Sequence, residues 1–171
     1  RPACLKPLVA LAGITDEALV DGPRAACDGA CIYLPEEIDR YPNLEANARL
    51  FRLLAKFETG LIEYGTFGFD LGRGRDLGLI ETESGVIACA PAAGDLSLFV
   101  DQFAHRRLAL DLFTIFEHAR LRVRLQIDYP GLVRQGLPVF QTEFRDRQVK
   151  SPFTSLLDAA YARLALDLPL D

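Results

Sequence analysis

The feature that most constrains this chain is the run from Asn43 to Gly65, in which Leu50, Leu54, Phe57, Leu61 and Tyr64 recur at spacings of four and three. That period places all five on one face of an α-helix of about six turns. Asn43, following Pro42, offers a side-chain oxygen to the first free backbone N–H groups, and Gly65 offers the left-handed residue on which helices commonly end. Arg49, Arg52, Lys56 and Glu63 take the other sides. A helix this long with a single apolar stripe needs a core to lie against, and a chain of 171 residues can supply one, because folding at this size removes roughly two-thirds of the unfolded chain's surface from water.

The same helix has the outline of a zinc-peptidase helix. Its segment "LLAKFETGLIEYGTF" (53–67) carries an acid, a glycine and then "EYGTF". Zinc chemistry of that kind needs two His four apart on one face, a glutamate between them as general base, and a third ligand from another element. Phe57 and Leu61 stand where the two His would be. They belong to the apolar stripe, so the expectation is a metal position filled with core. The candidates left for chemistry are Glu58 as a base, Glu117 as a carboxylate from elsewhere in the chain, and His118 beside it. Each also has a plain structural reading: Glu58 as a helix-flank residue, His118 as a surface or hydrogen-bonded histidine. His105, next to Arg106 and Arg107, reads as solvated. No nucleophile elbow marks a Ser-His-Asp or Cys-His site. We therefore assign no catalytic residue, no cofactor and no metal ligand from the sequence, with a zincin-like metallohydrolase of unusual ligands kept as the alternative.

Around this helix the chain divides by its breakers. "KPLVALAG" (6–13) reads as a short helix, and residues 14–34, with Asp21-Gly22 and Asp28-Gly29 between β-prone runs, read as a meander ending in a strand over 30–34 closed by Pro35. Cys27 and Cys31 flank the second turn, where a hairpin would bring them opposite one another as two reduced thiols. Glycines from Gly68 to Gly85 make 67–91 loop-rich, with one short strand at 86–89. Gly72-Arg73-Gly74 lacks the lysine and the strand-to-helix setting of a phosphate loop, so it reads as flexible loop. Residues 95–129 read as helical, capped by Asp95 or Ser97, with a break near 104–107. Phe99, Phe103, Leu108, Leu112 and Ile115 keep helical spacing there, and "DYPG" (128–131) closes the region. After a polar connection, Ser151-Pro152 starts a last helix over 151–166 with Phe153, Leu157, Ala160 and Leu164 on its buried side. The expected architecture is α+β in one domain over 1–171: a small antiparallel sheet (14–34) followed by three or four packed helices (43–64, 95–129, 151–166), resembling a degenerate zincin-like domain.

Composition limits the functions open to such a domain. Half the residues are hydrophobic and a quarter are charged, and no apolar run approaches the roughly 20 residues needed to cross a bilayer, so neither disorder nor membrane insertion is expected. A net charge of −5 and a pI near 5.1 argue against a nucleic-acid surface, and "RLRVRLQ" (120–126) is too short to reverse that. Cys4, Cys27, Cys31 and Cys89 form neither C-x-x-C pairs nor a secreted framework, which implies a reducing cytoplasm. The absence of methionine leads us to expect a segment of a longer protein.

Two blocks then point to a family. "DGACIYLPEEIDRYPNLEANARLFRLLAKFETGLIEYGTF" (28–67), with "IYLP", a later Pro, an Asn, "LLA" and "E-Y-G-T-F" in order, and "FEHARLRVRLQIDYPGL" (116–132), with Glu117-x-Ala119-Arg120 and Tyr129-Pro130-Gly131, resemble the NorD/CbbO family of nitric-oxide-reductase and Rubisco activation proteins. Together they span about a third of the chain. The family pattern has at least one His in the helix where Phe57 and Leu61 stand, and this sequence departs from it there. The resemblance implies a non-catalytic accessory protein that works with a MoxR-type AAA+ ATPase ring to remodel a target enzyme, and a C-terminal von Willebrand factor A domain. Asp95-Leu96-Ser97-Leu98-Phe99 fails that domain's Asp-x-Ser-x-Ser at its last position, so the chain corresponds to the region before it.

Overall fold

In the computed structural model, residues 25–27, 29–78, 94–145 and 152–169 are described. Strands β1 (Ala26–Cys27) and β2 (Ile32–Tyr33) pair antiparallel, with Ala26 opposite Tyr33 and Cys27 opposite Ile32. Six helices follow: α1 (Leu44–Glu63), α2 (Leu71–Asp76), α3 (Asp95–Asp101), α4 (Arg106–Asp128), α5 (Pro130–Arg145) and α6 (Pro152–Leu164), with a 3₁₀ turn at Thr66–Gly68. The described residues are predominantly helical, and a two-residue ladder is too short to make a layer. Most of the sheet expected over 14–34 falls on residues outside the described ones, as do the helix at 6–13, the strand at 86–89, Cys4, Cys89, the Ser151 cap and the Phe153 side chain.

Helix α1 is the central element, in contact with α4, α5 and both strands. The Asn43 side chain accepts from the Glu45 N–H at 2.8 Å, and Gly65 ends the helix at φ 73°. The segment leading into α1 is held by Asn47, whose buried amide accepts from the N–H groups of Arg40 and Tyr41 at 3.0 and 2.9 Å and donates to the Tyr41 carbonyl at 2.8 Å. Leu50, Leu53, Leu54, Phe57 and Leu61 are buried in one continuous core with Leu110, Leu121, Leu125, Val133, Phe140, Tyr161 and Leu166. Burial of each large apolar side chain contributes about 1.5 to 3 kcal/mol.

The largest departure from the sequence reading is α5. Its residues were assigned to a polar connection because Pro130, Gly131, Gly136 and Pro138 read as breakers, yet each fits. Pro130 occupies the first helical position, where no partner N–H is needed. Pro138 lies on the exposed side, so the carbonyl four residues earlier loses its donor where water is near. Gly136 is required by packing: a Cβ there would stand 2.8 Å from Leu53 Cβ and 3.2 Å from the Arg49 carbonyl oxygen, so α5 meets α1 backbone to backbone.

Three smaller corrections follow the same logic. Gly72-Arg73-Gly74 is helical, within α2, because Asp70 caps it by accepting from the Arg73 N–H at 2.9 Å. The 95–129 region does break, at 102–105, but the stripe read from its spacing is not the buried one: α4 buries Leu110, Thr114, Glu117, Leu121 and Leu125, while Phe103 and Leu112 are exposed. In α6 the buried residues are Asp158, Tyr161 and Ala162, with Leu157 and Ala160 at the edge and Leu164 exposed. Cys27, opposite Ile32, is buried, Cys31 is exposed, and both are free thiols.

Candidate functional site

The helix that outlined a metal site packs as core. Phe57 is 6 % and Leu61 1 % exposed. The Phe57 ring meets the His118 imidazole edge-on, with centroids 5.8 Å apart, and lies 6.4 Å from Phe140. On its other side His118 faces Tyr161, and Nδ1 shares a 2.9 Å hydrogen bond with the Tyr161 hydroxyl. Burial lowers the His118 pKa to about 4 against the opposing charge of Glu117, so the imidazole is neutral at pH 7. The structure thus brings His118 against the position where a first zinc ligand would project, and that position holds a phenyl ring.

Glu117 points from the same turn of α4 towards the end of α1. Its carboxylate accepts from the Thr66 hydroxyl and from Arg120, whose Nε donates to Oε2 at 2.8 Å and whose Nη2 donates to Oε1. The Arg120 guanidinium also donates twice to the Tyr64 carbonyl, at 3.2 Å each. That carbonyl lies at the C-cap of α1, where helices carry partial negative charge and unsatisfied acceptors. Burial pushes the Glu117 carboxyl up, but Arg120 and Thr66 together outweigh it and hold the pKa below the ordinary value. A carboxylate kept ionised, with both oxygens occupied by donors, is poorly placed to take a proton from a substrate.

A second knot lies beside the first. Lys56 pairs with Glu63 and sits 3.8 Å above the Tyr129 ring, and the Tyr129 hydroxyl donates to Glu63 at 2.9 Å. The Lys56 hydrogen bond holds the Glu63 carboxyl below its usual range. The Tyr64 hydroxyl donates to Asp128 at 2.7 Å, and partial enclosure and that carboxylate push its pKa up to about 12. Glu58 is partly buried on α1, and His105 is exposed at the start of α4. Among the described residues no group of three or more His, Cys, Asp or Glu side chains is placed to hold a metal ion.

Sequence reasoning named Glu117 and His118 but missed their partners Thr66, Arg120 and Tyr161. The Glu117–Arg120 spacing of three was a usable signal, since such pairs adjoin on a helix surface. It also missed a cavity of about 390 Å³ at the α3–α4 corner, lined almost wholly by apolar groups including Phe99, Phe103, Leu108, Leu112, Phe113 and Phe116. The chain matches no protein-family model, no curated protein and no solved structure. Among the described residues no helix is long and apolar enough to cross a membrane.

Proposed function

We propose that this domain is a non-catalytic adaptor or scaffold of an accessory protein that works in the cytoplasm with a MoxR-type AAA+ ATPase ring to activate or remodel a target enzyme such as Rubisco or nitric oxide reductase. The same proposal takes the fold as α+β, a degenerate zincin-like domain whose small sheet lies over 14–34, and it involves neither nucleic acid nor membrane insertion. One observation supports it above the others. The two blocks that resemble the NorD/CbbO family lie about fifty residues apart in sequence, and the residues that carry the resemblance bond to one another: Tyr64 and Thr66 of "EYGTF" to Arg120 and Glu117, and Glu63 to Tyr129. Motif residues spent on joining two helices fit a rigid scaffold better than a reaction centre.

The test is capture of a MoxR-type ATPase from the same organism by the folded protein, followed by activation of the target enzyme with both components present. Retention of the ATPase, and activation that needs both, is the expected result. Failure of a folded preparation to retain the ATPase in any nucleotide state overturns the proposal. One equivalent of zinc per chain, lost together with a hydrolytic activity in Glu117→Gln, would replace it with the metallohydrolase reading.

A further inference from the structure

Helix α4 carries a second apolar face that nothing in the fold covers. Leu112, Phe116, Ala119, Val123 and Ile127 follow one another at spacings of four and three, on the side of the helix opposite the buried Leu110, Thr114, Leu121 and Leu125. Phe116 is 61 % and Ile127 67 % exposed, and Val123 and Leu112 are also open to solvent. Singly exposed apolar residues are ordinary, but a continuous stripe over four turns is not. At its upper end the stripe runs into the apolar cavity between α3 and α4, for Leu112 and Phe116 belong to both.

The charges beside the stripe limit what can cover it. In a chain of net charge −5, α4 holds five arginines against Asp111, Glu117 and Asp128. Arg120 and Arg124 run along one edge of the stripe and Arg122 along the other. Arg124 is exposed and forms no ion pair among the described residues, and Arg122 is 3.7 Å from Asp167 with its Nε unpartnered. A second copy of this chain would set arginine edges against each other. A partner helix with acidic flanks would meet them with opposite charge on both sides.

We infer that the outer face of α4 is a docking groove for an amphipathic, acid-flanked helix of a partner protein, which lays its apolar residues on Phe116, Val123 and Ile127 and inserts one large side chain into the cavity beside Phe99 and Phe103. This mode of recognition reads anchors at helical spacing, and flanking charges set orientation and exclude wrong partners. The inference does not depend on the ATPase assignment, since the face and its charges are the same whatever complex the protein joins.

The experiment titrates the intact protein into two labelled helical peptides of about 18 residues, long enough to hold helical structure once bound. Both carry leucine at spacings of four and three, one with glutamate on its flanks and the other with lysine, and binding is read by fluorescence anisotropy. The glutamate peptide is expected to bind at least about tenfold more tightly than its lysine twin, with the gap narrowing as salt rises. Phe116→Asp and Arg124→Glu, both at exposed positions and checked for unchanged melting, should each weaken it, Phe116→Asp by about tenfold or more. Equal binding of the two peptides, no binding of either, or an affinity unchanged by Phe116→Asp overturns the inference. So does a concentration-dependent dimer in sedimentation equilibrium that Phe116→Asp dissolves, which would assign the face to a second copy.

Discussion

The two faces of helix α4 are treated in opposite ways. Inward and towards its C-terminal half, the helix spends polar groups on its neighbours: Glu117 and Arg120 hold the end of α1, His118 sits between Phe57 and Tyr161, and Asp128 holds Tyr64. Outward it presents Leu112, Phe116, Val123 and Ile127 to solvent with no partner side chain over them. A buried polar group costs stability unless it is bonded, so the inner face tolerates few changes, whereas the outer face contributes little to folding and is free to be shaped by something else. The contrast separates residues that make the domain from residues that the domain displays.

The comparison can be broken by mutation, and the largest effect is expected at Phe57. Phe57→Ala removes a ring that touches His118 and Phe140 and should lower stability by about 3 to 5 kcal/mol in chemical denaturation, through lost burial and the cavity left behind. A loss under about 1 kcal/mol would mean that the inner face is loosely packed and that the distinction fails.

The next effect is pH dependence. His118 has a folded pKa of about 4 against an ordinary 6.5, so the unfolded chain binds the proton more readily. Stability from this group is therefore present above pH 6.5 and is lost as pH falls from 6.5 towards 4, by about 3 kcal/mol over the window. Glu117, whose pKa is lowered, adds its own loss only below its ordinary value, as the carboxylate protonates and releases Arg120 and Thr66. Urea midpoints measured every half unit from pH 7.5 to 3.5 should show the first loss flattened in His118→Leu and the second retained.

Arg120→Ala should come third. It leaves the Glu117 carboxylate buried with Thr66 alone and strips the Tyr64 carbonyl of two donors, but the arginine side chain is 40 % exposed, so water takes up part of the deficit. About 2 kcal/mol is expected after that discount, together with faster amide exchange at the end of α1. Smallest of all, Phe116→Ser on the outer face should change stability by no more than about 0.5 kcal/mol. A drop comparable to that of Arg120→Ala would show that the outer face supports the fold.

The legibility of these regions in the sequence follows from how local their causes are. Helix α1 was readable to within a residue because its cap, its stripe and its terminal glycine all lie inside the helix. Helix α5 was not, because Gly136 reads as a breaker until Leu53, from a distant part of the chain, is seen to occupy the space of its missing side chain. In α4 the period was real but ambiguous: a helix with two apolar faces offers two stripes, and only packing chooses between them. Of the candidate site, Glu117 and His118 could be named as chemically unusual neighbours. Their roles could not, since Thr66 and Tyr161 reach them from 51 and 43 positions away.

The contact between α1 and α5 bears on how the chain is made. The Tyr41 hydroxyl, just before α1, donates to the Val139 carbonyl in α5, 98 positions later. Closing a loop of that length costs about 4 kcal/mol of chain entropy before any contact across it forms. On a ribosome adding about 5 to 20 residues per second, α1 emerges roughly 5 to 20 s before the helix that covers Leu53. Throughout that interval its apolar stripe has no native cover, so the nascent chain is most open to aggregation, and to capture by chaperones, while the stretch between the two helices is being synthesised.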